Sequence, residues 1–305
     1  MNLGFAYRSV VDAGAAGRTV LEHLVGRYTH SDEAAWRERI VRGEVSLDER
    51  TAEAGDRLRA GQSLVWRRPP WEEPAAPLAF AVLFRDPDLL AVAKPRGLPT
   101  VPNGGYLTHT LLHLVERRFP GAAPAHRLGR GTSGLLLFAR TDRARRELGR
   151  SWREGRMGKT YRALVSGRPT RGSFSVETPI GLVAHPRLGR VHAAAPHGKP
   201  ARSHVRVLES RDDSSLVEVR IETGRPHQIR IHLAAAGHPL VGDPLYARGG
   251  GPRDDPGLPG DAGYWLHAHR LELAHPASGV PLLLECGLPP ALRSATLDGY
   301  RGGTP

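Results

Sequence analysis

His126-Arg127-Leu128-Gly129-Arg130-Gly131-Thr132-Ser133-Gly134 runs directly into Leu135-Leu136-Leu137-Phe138. Two arginines and three glycines crowd a turn, and the apolar run after it reads as a buried strand. Glycine lets a backbone approach a ligand closely, and arginine grips a phosphate through a planar fork. The turn therefore suits a phosphate, although an ordinary glycine-rich loop would have the same composition.

Working outward, Ala79 to Phe84 and Leu89 to Ala93 read as strands around the turn Arg85-Asp86-Pro87-Asp88. Thr108 to Arg118 reads as a helix and Ala144 to Arg153 as a basic helix. Thr160 to Val165, Ser203 to Leu208, Ser215 to Ile221 and Val280 to Leu284 supply further strands, and a helix is expected within His227 to Ala236. Many strands, few helices and no βαβ rhythm predict an α+β fold with a mixed, largely antiparallel sheet. Arg248 to Gly263 is rich in Gly, Pro and Asp and reads as a mobile loop.

Two more segments carry chemistry. In Lys159-Thr160-Tyr161-Arg162, a tyrosine beside cations on a strand could stack a base and donate a hydrogen bond, or simply pack against the sheet. Thr223-Gly224-Arg225-Pro226-His227-Gln228-Ile229-Arg230-Ile231-His232 gathers hydrogen-bonding side chains around one Gly-Arg turn, a density that suits an anion. The turn formers Gly237 to Tyr246, with Gly242-Asp243-Pro244 among them, follow as a buttress.

Toward the N-terminus, four prolines lie between Pro69 and Pro77 and deny that stretch both helix and central strand. We read 69–78 as a linker, 1–68 as a small α/β domain and 79–305 as the large one. Residues 1–68 read as helix, helix and hairpin: Val20 to Val25, a helix starting at Ser31-Asp32-Glu33 and ended by Gly43, then Val45 to Leu47 and Leu58 to Trp66.

The 305 residues carry a formal net charge of +12, and 40 of the 43 basic residues are arginine. Residues 1–75 hold 11 arginines against 12 acids, a net of −1, so the remaining residues carry +13. That asymmetry points the larger domain to a polyanion such as RNA and speaks against a small-molecule enzyme. The only cysteine, Cys286, excludes an intrachain disulfide and a cysteine-built zinc site. No stretch nears the roughly 20 apolar residues of a membrane span. Met1 to Leu24 does not read as a signal peptide. We expect a cytoplasmic monomer. His109 and His113, four apart on the expected helix, and His267 and His269 on an expected strand have spacings that could hold a metal. Nothing accompanies them, so we read all four as surface histidines and expect no metal site.

Taken together and in order, the three motifs resemble those of the RluA-type RNA pseudouridine synthases. The resemblance extends from Asp88 to Pro99, with its Lys94-Pro95-Arg96-Gly97 turn, through Gly198-Lys199-Pro200-Ala201 to Leu266-His267-Ala268 and His275-Pro276. It covers roughly residues 79–292 and implies a pseudouridine synthase fold with an RNA-binding cleft across the middle of its sheet. It also implies isomerisation of uridine in ribosomal or transfer RNA, with no cofactor. Residues 1–66 resemble, loosely, a small RNA-binding domain first known from ribosomal proteins, through Gly43 to Leu47 and Leu58 to Gln62.

By this resemblance Arg127, Tyr161 and Arg230 belong to the catalytic site, while Lys94, Arg130, Thr132, Lys159, Arg225, His227 and Gln228 face RNA. Tyr161 would stack on or hydrogen-bond a flipped base. Arg146 and Arg150, on the basic helix, would line the RNA path. The family's essential aspartate directly follows the Arg-Leu pair, and here that position is Gly129; the residue two places on, often acidic in the family, is Gly131. Glycine can act neither as nucleophile nor as proton acceptor. Three readings follow: a substitute carboxylate (Asp86, Asp88, Asp142, Glu222 or Asp243), a non-catalytic RNA-binding or assembly factor on the same fold, or different chemistry in the cleft. Asp243, in its Gly-Asp-Pro turn, reads as structural. By the same resemblance Arg230 or Arg225 would pair with the aspartate, and without it that arginine is expected to bind an RNA phosphate or a substitute carboxylate.

Overall fold

The computed structural model describes residues 1–28, 31–295 and 297. Residues 296 and 298–305, assigned above to the large domain, lie outside this set. The chain divides into Met1–Glu73 and Pro74–Pro305, so the boundary falls inside the proline-rich stretch.

In the first unit, β1 (Phe5–Val10), α1 (Val20–Arg27), α2 (Glu33–Val41), β2 (Val45–Leu47), β3 (Arg50–Thr51) and β4 (Ser63–Arg68) form a sheet of order β1-β4-β2-β3 beside two helices. Thr19 caps α1 in a capping box with Glu22, and Asp32 caps α2 through the Ala35 amide. Leu24, Trp36, Val45, Leu47 and Leu58 make the core. The sequence reading missed β1. It is an edge strand with no fully buried residue, so it lacks the alternation that reveals a strand.

The second unit is built on one large sheet. Its elements in chain order are β5 (Ala81–Arg85), β6 (Leu89–Lys94), α3 (Leu111–Arg118), β7 (Ala123–Pro124), β8 (Ser133–Ala139), α4 (Asp142–Arg153), β9 (Gly158–Ser166), β10 (Ser173–Val176), β11 (Ile180–His185), β12 (Gly189–Ala194), β13 (Ser203–Ser210), β14 (Ser214–Ile221), α5 (Gln228–Ala235), β15 (Leu266–Ala274) and β16 (Pro281–Glu285). The strand order is β10-β13-β14-β9-β15-β8-β6-β5, with β16 on β15, β7 on β8, and β11-β12 as a separate hairpin. β15 runs parallel to β8, whereas the other pairings among the described strands are antiparallel. The sheet is thus mixed and largely antiparallel, as expected.

Strand β8 shows why its apolar run is continuous. Leu135, Leu137 and Ala139 pack with Ala144 and Leu148 of α4, while Leu136 and Phe138 pack with Leu111 and Val115 of α3. Period-2 alternation sends consecutive residues to opposite faces, and both faces are covered. Gly134 joins β8 to β15 at φ +114, where a Cβ would stand 2.2 Å from the Ala268 carbonyl oxygen. Only glycine permits that approach. Further along the sheet, Ile229 and Leu233 of α5 cover Ala163, Val165, Val217 and Val219.

Tyr161 packs against both the α3 cluster and the α5 cluster, which places it at the seam between them. One face of the sheet therefore carries α3, Tyr161 and α5, and α4 covers β8 from the other face. The short hairpin β11-β12 and strand β10 were missed by the sequence reading. Buried, half-buried and exposed residues mix there with Gly, His and Ser, so no clean strand period marks them.

Candidate active site

The 126–134 motif folds as a tight turn. The Thr132 amide donates to the Gly129 carbonyl at 3.0 Å, and the Leu128 carbonyl accepts from Thr100 Oγ1 at 2.8 Å. His126 stacks on Trp152 at 4.7 Å, and its Nε2 accepts the Leu137 amide. Burial, reinforced by the Lys159 charge, pushes the ring down to about 3, so it stays neutral. Arg127 and Gly129 are exposed. Arg130 donates through Nε to the Gly260 carbonyl at 2.7 Å and through NH1 to the Tyr106 hydroxyl, with Asp261 at 3.7 Å.

Tyr161 lies on β9 in register with Val219 and Ala268. Burial pushes its phenol up to about 12, so at neutral pH it remains a hydrogen-bond donor. Lys159, buried, has its ammonium 5.3 Å from the Trp152 ring centroid, and burial lowers its pKa.

The third motif turns α5 into the sheet. His227 adopts a left-handed conformation at φ 55 and provides no side-chain cap. Gln228 does the ordering: its Oε1 accepts from Thr223 Oγ1 and the Arg225 amide, and its Nε2 donates to the Arg202 carbonyl and Ser203 Oγ. The Tyr246 hydroxyl donates to the His192 carbonyl, so His227 Nδ1, 2.7 Å away, carries the proton of their shared bond. Burial, and after it the Arg230 charge, pushes His227 down to about 3. Arg225 donates through Nε to the Pro200 carbonyl.

Arg230 is the junction of the site. Its Nε and NH2 donate to the two carboxylate oxygens of Asp243, each at 2.8 Å, and NH1 donates to the Pro259 carbonyl. Burial alone would lower its pKa, yet the bonds to Asp243 hold it above the ordinary value. The guanidinium lies 5.0 Å from the Tyr246 ring centroid and 4.3 Å from that of Tyr264. Tyr264 in turn shares a 3.2 Å hydroxyl contact with Thr132. Asp243, Arg230, Tyr264 and Thr132 thus connect the third motif to the first.

The structure corrects several expectations. Lys94 is 1 % exposed, and its ammonium donates to the carbonyls of Pro95, Leu98 and Arg130; burial brings its pKa down to about 7. It holds a turn instead of facing RNA. Gln228, 3 % exposed with both polar atoms engaged, and buried Thr132 are structural in the same sense. Arg146 and Arg150 are exposed on α4, which packs on the other face from Tyr161; they do not line the cleft there. His109 precedes α3, whose cap is Thr110, and so shares no helix face with His113. His267 and His269 are buried, not on the surface. Among the described residues no cluster of His, Cys, Asp and Glu could hold a metal ion. The 248–263 loop is tied down through Pro259, Gly260 and Asp261 by Arg230 and Arg130, contacts that its composition did not announce.

Of the five acids considered, Asp243 meets Arg230. Asp86 bonds His275, Asp88 bonds Thr141 and Arg143, Asp142 pairs with Arg145, and Glu222 bonds His204. The Asp243 side chain is 0 % exposed and also accepts the amides of Leu245 and Tyr246. Tyr264 was missed altogether; an aromatic residue closing a glycine-rich loop was the sole signal.

Known proteins similar to this chain fall in one family. Residues 88–235 match the family described as RNA pseudouridylate synthase. An RNA pseudouridine synthase of Synechocystis is 44% identical over 276 residues, 90% of this chain and 95% of that one. RNA pseudouridine synthase 5 of Arabidopsis thaliana is 38% identical over 90% of this chain and 89% of its own. Ribosomal large subunit pseudouridine synthase D of Nitrosomonas europaea is 36% identical, over 91% and 82%. Among solved structures, human RNA pseudouridylate synthase domain containing 1 superposes with TM-score 0.57 at 26% identity, over 73% of this chain and 89% of that one. The fold is that of the isomerases that make pseudouridine in RNA. The chain belongs to the RNA pseudouridine synthases, and within them to the RluA type.

Proposed function

We propose that this protein isomerises uridine to pseudouridine in structured RNA, ribosomal or transfer RNA, with the uridine flipped out of its stack onto Tyr161. Flipping costs a few kcal/mol in comparable enzymes. The observation that carries the reading is the placing of Tyr161: a protonated phenol at the seam between the α3 and α5 clusters, on the face of the sheet they cover. Arg127 and Arg225 offer charge for the RNA backbone. Bare phosphate contacts position a nucleic acid without reading its sequence, so these arginines set where the RNA lies and not which uridine is chosen.

A second reading, RNA binding without isomerisation, is favoured by a different observation. Gly129 has no side chain, and the carboxylate of Asp243 is fully engaged by Arg230 and two amides. One experiment separates the two. Unmodified transfer-RNA and ribosomal-RNA transcripts are incubated with the purified protein, and RNA binding and pseudouridine are measured side by side. Isomerisation predicts both; pseudouridine absent from RNA that binds tightly would leave the second reading.

A further inference from the structure

An open pocket of about 490 Å³ lies next to Asp243, and neither reading above uses it. Its volume is within the range of small-ligand sites. Arg187 reaches it from the tip of the β11-β12 hairpin, and Arg253 and Asp255 from the loop after α5. Gly242, Pro244 and Gly257 line the rest with no hydrogen-bonding side chain. Three contacts hold the two walls together. Buried His185 accepts the amides of Arg187 and Leu188 at Nδ1, so its Nε2 carries the proton and donates to the Gly257 carbonyl at 3.1 Å. Arg187 NH2 donates to the Pro256 carbonyl at 2.9 Å, and Arg253 Nε donates to the Asp243 carbonyl at 2.9 Å.

We propose that Arg187 and Arg253 form a binding site for a backbone phosphate of the RNA, beside the uridine site. The inference rests on RNA occupying this unit, which both readings above share. Each guanidinium spends one nitrogen on a carbonyl, and its other two have no partner among the described residues. Both arginines are exposed, so those donors are open to a ligand. Arg130 and Arg230, by contrast, are engaged by the loop and by Asp243. An arginine already fixed at one nitrogen loses little freedom when it grips a phosphate with the others. Asp255 is the pocket's free carboxylate, since the charge of Asp243 is spent on Arg230. One acid against two guanidiniums leaves the pocket positive. Asp243 also sets its position: the carboxylate holds Arg230 while the carbonyl holds Arg253, so the phosphate site and the uridine site share one residue.

The test is the double variant Arg187→Gln with Arg253→Gln, beside a control that removes the same charge from α4, Arg146→Gln with Arg150→Gln. Affinity for unmodified transfer-RNA and ribosomal-RNA transcripts is titrated at several salt concentrations, and melting temperature is measured alongside. Loss of the phosphate contact is expected to weaken binding on the order of tenfold. It should also make the dependence of log affinity on log salt shallower by roughly 0.7–0.9, the value for one phosphate. The control is expected to change both by less. Equal losses from the two double variants overturn the site, because net charge alone would then explain them. So does an unchanged salt slope. A native protein that binds no RNA overturns the site together with the proposed function, so the two failures differ. Should the double variant fail to fold, Arg187→Glu alone serves, since that side chain is exposed at the hairpin tip. It must weaken RNA binding more than Arg146→Glu does, and an equal or smaller loss counts against the proposal.

Discussion

Arg230 and Asp243 show how much a single pair can be asked to do. Both are buried, their bond is bidentate, and the arginine orders Tyr264 on one side and the Pro259 carbonyl on the other. Removing one partner of a buried ion pair strands the other charge, at a cost of about 3–5 kcal/mol. Asp243→Asn is therefore expected to lower stability by that order, measured by denaturant unfolding; a loss below about 1 kcal/mol would show the pair to be dispensable. Tyr161→Phe removes a donor without touching the sheet register. It should slow pseudouridine formation at least tenfold while leaving the melting temperature within about 2 °C, since no described residue depends on that hydroxyl. At this scale the sequence was read unevenly. Asp243 announced itself as a turn residue, and Arg230 or Arg225 as needing a partner. Lys94 and Gln228 look like ligand-facing groups in sequence because polarity is visible there and burial is not. Tyr264 was illegible because its importance lies in which glycines it touches across 133 and 135 positions of chain.

At the scale of elements, strands β6 and β8 were legible because both of their faces are buried and their residues are almost all apolar, and β9 and β14 because short apolar or β-branched runs recur between their charged residues. The edge strands β1 and β10 and the β11-β12 hairpin were not, since half-exposed strands carry weak patterning. Helix α4 was found, yet its face was misjudged: its basic side is the solvated one, and Ala144 and Leu148 bind it to the sheet surface away from Tyr161. Reversing Arg146 and Arg150 to Glu is accordingly expected to reduce RNA affinity by less than Arg225→Glu alone does. Filter-binding titrations at two salt concentrations would decide, and a larger loss from the α4 variant would mean that RNA wraps both faces. The 256–262 loop makes a further case. Its Asp261 lies 3.7 Å from Arg130, a candidate RNA-binding cation. Asp261→Ala should free that charge and raise RNA affinity by about twofold, a modest change in keeping with a partly exposed pair.

For the whole molecule, charge and pH set the boundaries. His126 and His227 are both held near 3, against 6.5 for a free histidine, so folding requires them neutral. The unfolded chain binds their protons first as pH falls. Stability is therefore complete above pH 6.5 and declines below it, by roughly 1.4 kcal/mol per pH unit for each histidine, until pH nears 3. Melting curves between pH 7 and pH 5 check this, and a flat profile would show that neither ring is buried in the native state. The excess of +13 outside residues 1–75 predicts a salt-dependent affinity for RNA that resides in the second unit. The measurement that tests the central claim most directly is nucleoside analysis of unmodified transfer-RNA and ribosomal-RNA transcripts after incubation with the native protein, with the Gly129→Asp variant alongside. Isomerisation by the site as it stands predicts pseudouridine from the native protein and no gain from Gly129→Asp, whose carboxylate would crowd Tyr264. Pseudouridine from the variant alone would contradict it, and would leave the native protein an RNA binder with a synthase fold.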